Sequence, residues 1–130
     1  MGLTHVRGVV KHGDRWREVD LLVDSGATYT VLKKEIWEYL GLRPMRRLTL
    51  ILADGTRIER WLSEALLELP GHGEYHTPVV LGEEGDENIL GAVTLEIFGL
   101  MLDPLRRELR PMRILMMSSR ASEGLSARDE

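Results

Sequence analysis

Short apolar and β-branched runs, separated by turn sequences, dominate most of this chain. Runs of this length that end in Gly, Asp or Pro are typical of β-strands. His12-Gly13-Asp14 and Ala53-Asp54-Gly55-Thr56 are tight-turn sequences between such runs, so each predicts a hairpin. The predicted strands cover residues 6–10, 16–23, 48–52, 57–69 (as one strand or two) and 77–81, and residues 83–87 are expected to form an exposed acidic loop.

Two segments are predicted to be short helices, because a glycine follows the last turn of each. They cover residues 33–40, before Gly41, and 92–98, before Gly99. The expected fold class is therefore all-β, meaning mainly β with one or two short helices. Residues 1–117 are predicted to form one domain with a final strand around 113–116, and the polar residues 118–130 a disordered tail.

The composition excludes several classes of protein. A formal net charge of −4 argues against a general nucleic-acid binder, and the lack of cysteine excludes disulfides and thiolate zinc sites. Neither a signal peptide nor an apolar stretch of about 18 residues is evident. We therefore expect a cytoplasmic protein without nucleic-acid or membrane partners, and no metal or cofactor.

A weak internal repeat links two parts of the chain. Residues 22–27 and 89–92 both carry an apolar strand into a turn of small residues, and each part continues to a helix closed by Gly-Leu. Asp24 gives the first part a carboxyl group, and the second part has none at the matching place.

Asp24-Ser25-Gly26 follows the apolar run Leu21-Leu22-Val23, which places a carboxylate at the end of a buried strand. Such a turn suits aspartic-protease chemistry, in which two carboxyl groups about 3 Å apart share one proton because both cannot ionise. Ser25 would orient the turn, and Gly26 would let the backbone approach the carboxylate. Because the chain supplies one such turn, a second copy must bring the second aspartate.

These residues resemble the retroviral-type (retropepsin-like) aspartic protease family, especially its bacterial members. The resemblance rests on Asp24-Ser25-Gly26-Ala27-Thr28, on Leu52-Ala53-Asp54-Gly55 and on Asn88-Ile89-Leu90-Gly91 followed by a short helix. It implies a closed β-barrel-like fold with two pseudo-symmetric halves, one lobe per chain, in a homodimer with its active site on the two-fold axis. It also implies a mobile hairpin flap over the cleft and an extended peptide or protein substrate.

The resemblance assigns roles to single residues. Asp24 is the implied catalytic residue, with Ser25 and Gly26 in the active-site turn. The implied substrate-binding residues are Leu22, Ala27, Thr28, Ile89 and the flap tip at Ala53, Asp54 and Gly55. Ala92 and Thr28 stand where viral enzymes often have an arginine and an aspartate that pair. Ala27 lacks the hydroxyl that stabilises the ionised dyad in pepsin-like enzymes, so we expect activity to be highest at weakly acidic pH.

Two other functions stay open on the sequence alone. One is a non-catalytic dimeric module that binds extended peptides by strand addition. The other is a structural β-domain in which Asp24 only forms a turn. A zinc site at His72 and His76 is disfavoured because Pro70, Gly71 and Gly73 argue against a helix there.

Overall fold

The computed structural model of the chain describes residues 2–113, which are mainly β. They form nine strands and two short helices. The strands are β1 (His5–His12), β2 (Arg15–Val23), β3 (Thr30–Leu32), β4 (Arg46–Ile51), β5 (Arg57–Leu69), β6 (Gly73–Leu81), β7 (Ile89–Leu90), β8 (Leu100–Asp103) and β9 (Glu108–Pro111). The helices are α1 (Lys34–Leu40) and α2 (Ala92–Phe98).

Seven of the strands form one sheet in the order β1-β2-β7-β3-β6-β5-β4. β1 pairs with β5 as well as with β2. The successive pairings of β1, β2, β7, β3, β6 and β5 therefore return to β1 and form a closed circuit. β4 lies outside this circuit and extends β5 as a hairpin. Both predicted hairpins are confirmed, and the segment 57–69 is one long strand rather than two.

The circuit consists of two matching halves, β1-β2-β3-α1 and β5-β6-β7-α2. β2 runs parallel to β7 and β3 runs parallel to β6, so each half places its third strand beside the second strand of the other. Each third strand leads into a seven-residue helix that ends at a left-handed glycine, Gly41 with φ 73° and Gly99 with φ 67°. Both helix ends agree with the prediction.

The predicted alignment between the two parts of the internal repeat was wrong. Because Val31-Leu32 and Ile89-Leu90 both precede a helix, residues 89–92 correspond to residues 31–34 and not to residues 22–27. The counterpart of Asp24 is Gly82, at the end of β6. The Asp24 N–H donates to Leu90 O at 3.0 Å, and the Gly82 N–H donates to Leu32 O at 2.9 Å.

The core lies inside the circuit and is filled by aliphatic side chains from both halves, which explains why alternate residues of each strand are apolar. Leu21, Leu32, Leu90 and Leu67 are all buried to 2 % exposure or less. α2 adds Leu95 and Phe98 to this cluster, and the strands β8 and β9 pack Leu102 and Leu109 against it.

The C-terminal part of the described chain is a two-stranded sheet of β8 and β9. Its turn is held by Asp103, whose carboxylate accepts the N–H groups of Leu105 and Arg106 and a guanidinium N–H of Arg110. The strand expected around 113–116 and the expected tail at 118–130 lie almost wholly outside the described residues. Within residues 2–113, no helix is long and apolar enough to cross a membrane.

Candidate active site

Asp24 lies directly after β2, where the chain leaves the sheet in a tight turn. The Ala27 N–H donates to Asp24 O at 3.0 Å, and the Gly26 N–H donates to Asp24 Oδ1 at 2.9 Å. A Cβ on Gly26 would lie only 3.2 Å from that carboxylate oxygen, so glycine allows the close approach. The turn thus fixes the carboxyl group of Asp24 while leaving the residue exposed.

The loop of residues 24–29 must pass around the end of β7, because β7 lies between β2 and β3. Gly91 is at that end, and the loop crosses it closely. A Cβ on Gly91 would meet the C and O atoms of Tyr29 at 2.5 Å and the Thr30 nitrogen at 2.9 Å. Since these are backbone atoms that cannot swing aside, the structure explains why glycine follows Ile89-Leu90.

The first turn of α2 also holds this loop. Ala92 N–H donates to Ala27 O at 2.7 Å, and Val93 N–H donates to Thr28 O at 2.9 Å. Helix N-termini leave such amides without partners inside the helix, and here the loop carbonyls supply the partners. Ala27 is half-buried and the Thr28 side chain is exposed.

An aliphatic strip lies on the side of the sheet away from the core, next to Asp24. Leu22 pairs with Ile89, and Ile89 pairs with Val31, so the three half-buried side chains share one face. Val80 pairs with Val31 and continues the row, and it is 1 % exposed although it lies outside the core cluster. Leu22 and Ile89 therefore lie side by side, and Val31 and Val80, which the sequence did not single out, join them through the strand register.

The hairpin of β4 and β5 turns its half-buried apolar side chains toward the same side of the sheet. Leu62 pairs with Val80, and the alternation along the strands adds Ile58, Leu50 and Leu48 to that face. The face therefore continues the row that begins at Leu22.

The hairpin tip is exposed, and its turn is set by Gly55, with φ 89°, and by Asp54. The Thr56 N–H donates to Asp54 Oδ1 at 2.9 Å, and hydrogen bonds from Thr56 hold the pKa of Asp54 below its usual value. Ala53, Asp54 and Gly55 form the tip of this hairpin, and no strand pairing connects them to the Asp24 turn in the described part of the chain.

The chain matches a known protein family over most of its length. A family model described as aspartyl protease matches residues 7–93, more than half of the chain, from β1 into the first turn of α2. The chain belongs to the aspartyl protease family. The matched segment contains the Asp24 turn, the hairpin of β4 and β5, and Gly91. No curated protein matches the chain significantly.

Family membership supports aspartic protease activity in general, and with it a hydrolase that acts on peptide bonds. The geometry of Asp24 suits this chemistry, because an exposed carboxylate held by a backbone N–H can exchange a proton with a bound water.

An ion pair joins the hairpin of β4 and β5 to the loop 83–87. Arg60 Nε donates to Asp86 Oδ2 at 2.8 Å, and Arg60 Nη2 approaches Asp86 Oδ1 at 3.3 Å. The side chains are only 16 % and 28 % exposed. Burial opposes ionisation of Asp86, but the hydrogen bonds from Arg60 and from the Glu83 amide together keep its pKa below the usual value.

His76 lies in strand β6, where its Nδ1 is 3.3 Å from Glu64 Oε2, and His72 lies in the turn before that strand. Among residues 2–113, no group of three or more His, Cys, Asp or Glu side chains is placed to hold a metal ion.

Proposed function

We propose that this protein is a retropepsin-like aspartic endopeptidase that works as a homodimer. Asp24 of each chain would supply one carboxyl group of a dyad on the two-fold axis. The observation that carries this proposal is that Gly82 occupies the position in the second half of the chain that Asp24 occupies in the first. The second half therefore offers no acid at the matching position. A second carboxyl group must therefore come from another molecule.

The dyad would share one proton, since two carboxylates about 3 Å apart cannot both ionise. The ionised carboxylate takes a proton from a bound water, and the water oxygen attacks the carbonyl carbon of the scissile bond. The protonated carboxyl donates to the carbonyl oxygen and so stabilises the tetrahedral intermediate. The carboxyl group that took the proton from water then passes it to the leaving amine, and the C–N bond breaks. A hydroxyl of the intermediate returns its proton to the other carboxylate, which restores the shared-proton state.

The cleft would lie on the side of the sheet that carries the aliphatic strip. Leu22 and Ile89 would line pockets for substrate side chains, with Ala27 and Thr28 beside the scissile bond. The hairpin of β4 and β5 would act as a flap, with Ala53, Asp54 and Gly55 at its tip. Two observations support this: the apolar face of the hairpin continues the strip, and Ile51 and Leu52 near the tip are 65 % and 44 % exposed in the single chain. The closed circuit of strand pairings supports the barrel-like fold of a retropepsin lobe.

The test is cleavage of a mixed peptide library by the purified protein and by its Asp24→Asn variant. The substitution keeps the size and the acceptor oxygen but removes the shared proton, so kcat/KM should fall by about a thousandfold. Asp20→Asn is the matched control, because Asp20 is an exposed acid on the same strand. Cleavage that survives Asp24→Asn, or that disappears equally in Asp20→Asn, contradicts the proposal.

Sedimentation at neutral and weakly acidic pH tests the second half of the proposal, since a strict monomer cannot assemble the dyad. Peptide binding by wild type and Asp24→Asn alike, without cleavage by either, would instead favour the peptide-binding module.

A further inference from the structure

Three threonine hydroxyl groups form a chain inside the core, where polar groups are otherwise rare. Thr30 is 1 % exposed, Thr77 is 1 % exposed and Thr94 is fully buried. Thr30 Oγ1 lies 2.6 Å from Thr94 Oγ1, and Thr94 Oγ1 lies 2.7 Å from Thr77 Oγ1. These residues come from β3, β6 and α2, so the chain of hydroxyls joins both halves of the fold.

One arrangement of the hydroxyl protons lets each of the three hydroxyl groups, as well as the Gly91 N–H, donate a hydrogen bond. The Gly91 N–H donates to Thr30 Oγ1 at 3.1 Å, which makes Thr30 an acceptor at this end. Thr30 then donates to Thr94 and Thr94 to Thr77, whose own hydroxyl points toward Pro78 O at 3.4 Å. Buried polar groups are costly unless paired, so removing the central hydroxyl would leave two neighbours without their partner.

The chain of hydroxyls ends at the backbone that supports the catalytic turn. Gly91 lies against Tyr29, and the two residues after Gly91 donate to Ala27 O and Thr28 O. The position of Gly91 relative to β3 therefore sets the position of the loop that carries Asp24. Thr94 lies on the first turn of α2, the same turn whose amides bind the loop.

The corresponding contact in the other half of the fold is different. There the Lys33 N–H donates to Asn88 Oδ1 at 2.7 Å, at the opposite end of β7 from Asp24. Lys33 and Asn88 are the counterparts of Gly91 and Thr30, but they are only half-buried. Only the contact at the end of β7 next to Asp24 thus continues through buried hydroxyl groups, those of Thr94 and Thr77.

We propose that Thr30, Thr94 and Thr77 are positioning residues for the Asp24 turn. They act through Gly91 and the first turn of α2, and they hold the carboxyl group where a partner carboxyl group can share its proton. This inference rests on the proposed protease function for its catalytic consequence, but not for the coupling between the hydroxyls and the turn.

The experiment compares Thr94→Val, which keeps the shape but loses the hydroxyl, with Thr94→Ser, which keeps the hydroxyl. Thr94→Val should lower kcat by about tenfold or more with KM little changed, because a small misplacement of catalytic groups costs rate. Thr94→Ser should restore kcat to within about twofold of wild type by the same reasoning. Ser63→Ala is the control for loss of a buried hydroxyl elsewhere, since Ser63 Oγ donates to Arg43 O at 2.6 Å. It should lower Tm without lowering kcat.

Amide hydrogen exchange at Gly91, Ala92 and Val93 provides a readout that needs no proteolysis. Exchange at these amides should accelerate in Thr94→Val relative to Ser63→Ala. If the wild type cleaves nothing, the protease proposal fails while this exchange still decides whether the hydroxyls hold the turn. Thr77→Val removes only the last link and should cause a smaller change in the same direction, so it serves if Thr94→Val does not fold.

Three results would overturn the inference. They are a wild-type kcat in folded Thr94→Val, an equal loss of kcat in Thr94→Ser, and unchanged exchange at residues 91–93.

Discussion

Gly91→Ala should displace the Asp24 turn more directly than any change of an apolar core residue. The added Cβ would lie 2.5 Å from the C and O atoms of Tyr29. Nonbonded carbon atoms prefer a separation of about 3.5 Å, so the two backbone segments must move apart by about 1 Å. Crowding of this kind costs about 1–3 kcal/mol in folding free energy.

The same displacement carries Asp24 with it, because the loop is bonded to α2 through Ala27 O and Thr28 O. A misplacement of about 1 Å at a catalytic group can cost roughly a hundredfold in rate. We therefore expect kcat to fall by about that factor, measured by single-turnover cleavage of a fluorogenic peptide selected from the library, while urea melts report the loss of stability.

Gly82→Ala is the matched control, because its Cβ would lie 2.6 Å from Leu32 O at the other end of β7. It should cost a similar amount of stability but leave most of the rate. The reasoning is refuted if folded Gly91→Ala keeps the wild-type kcat, or if Gly82→Ala loses as much rate as Gly91→Ala.

Arg60→Met should remove about 1 kcal/mol of stability at neutral pH, since the pair with Asp86 remains in contact with water. The lowered pKa of Asp86 makes this contribution complete above its ordinary value of 3.8 and lost as pH falls through the folded-state pKa, so urea melts of the two proteins should converge in strong acid; a constant difference would contradict the assignment. Ala27→Ser should move the acidic limb of the kcat profile to lower pH by stabilising the ionised dyad, and an unmoved limb would show that the hydroxyl does not reach it. Activity per chain should fall on dilution because each site needs two chains, whereas a constant specific activity would exclude the dimeric dyad.

Local signals in the sequence were enough to predict the turn at Asp24 and several of the elements around it. An apolar run followed by Asp24-Ser25-Gly26 predicts a strand and its end, and β2 does end at Val23. Gly41 and Gly99 mark the helix ends because a left-handed residue favours glycine, and both adopt positive φ. These features depend on neighbours within a few residues, which is the range over which sequence patterns are informative.

The long-range arrangement could not be read in the same way. The insertion of β7 between β2 and β3 pairs Ile89 with Leu22, 67 positions away, and with Val31, 58 positions away. A strand of two residues has too short a pattern to predict such a register. The threonine hydroxyls were missed for a related reason, since Thr30 and Thr77 look like ordinary strand residues and Thr94 like a helix residue. Their contact follows only from the way the two halves pack. The misplaced repeat had the same origin, because helix ends matched while strand partners were unknown.

The insertion of β7 has a consequence for when activity can begin in the cell. The Asp24 N–H donates to the carbonyl oxygen of Leu90. A nascent chain whose second half is still in the ribosome therefore lacks the hydrogen bond that supports its Asp24 turn. Closing such a long segment is a late and slow event in folding. On the proposed protease function, an incomplete or truncated polypeptide would therefore be inactive, and hydrolysis of neighbouring proteins during synthesis would be avoided without a separate inhibitor.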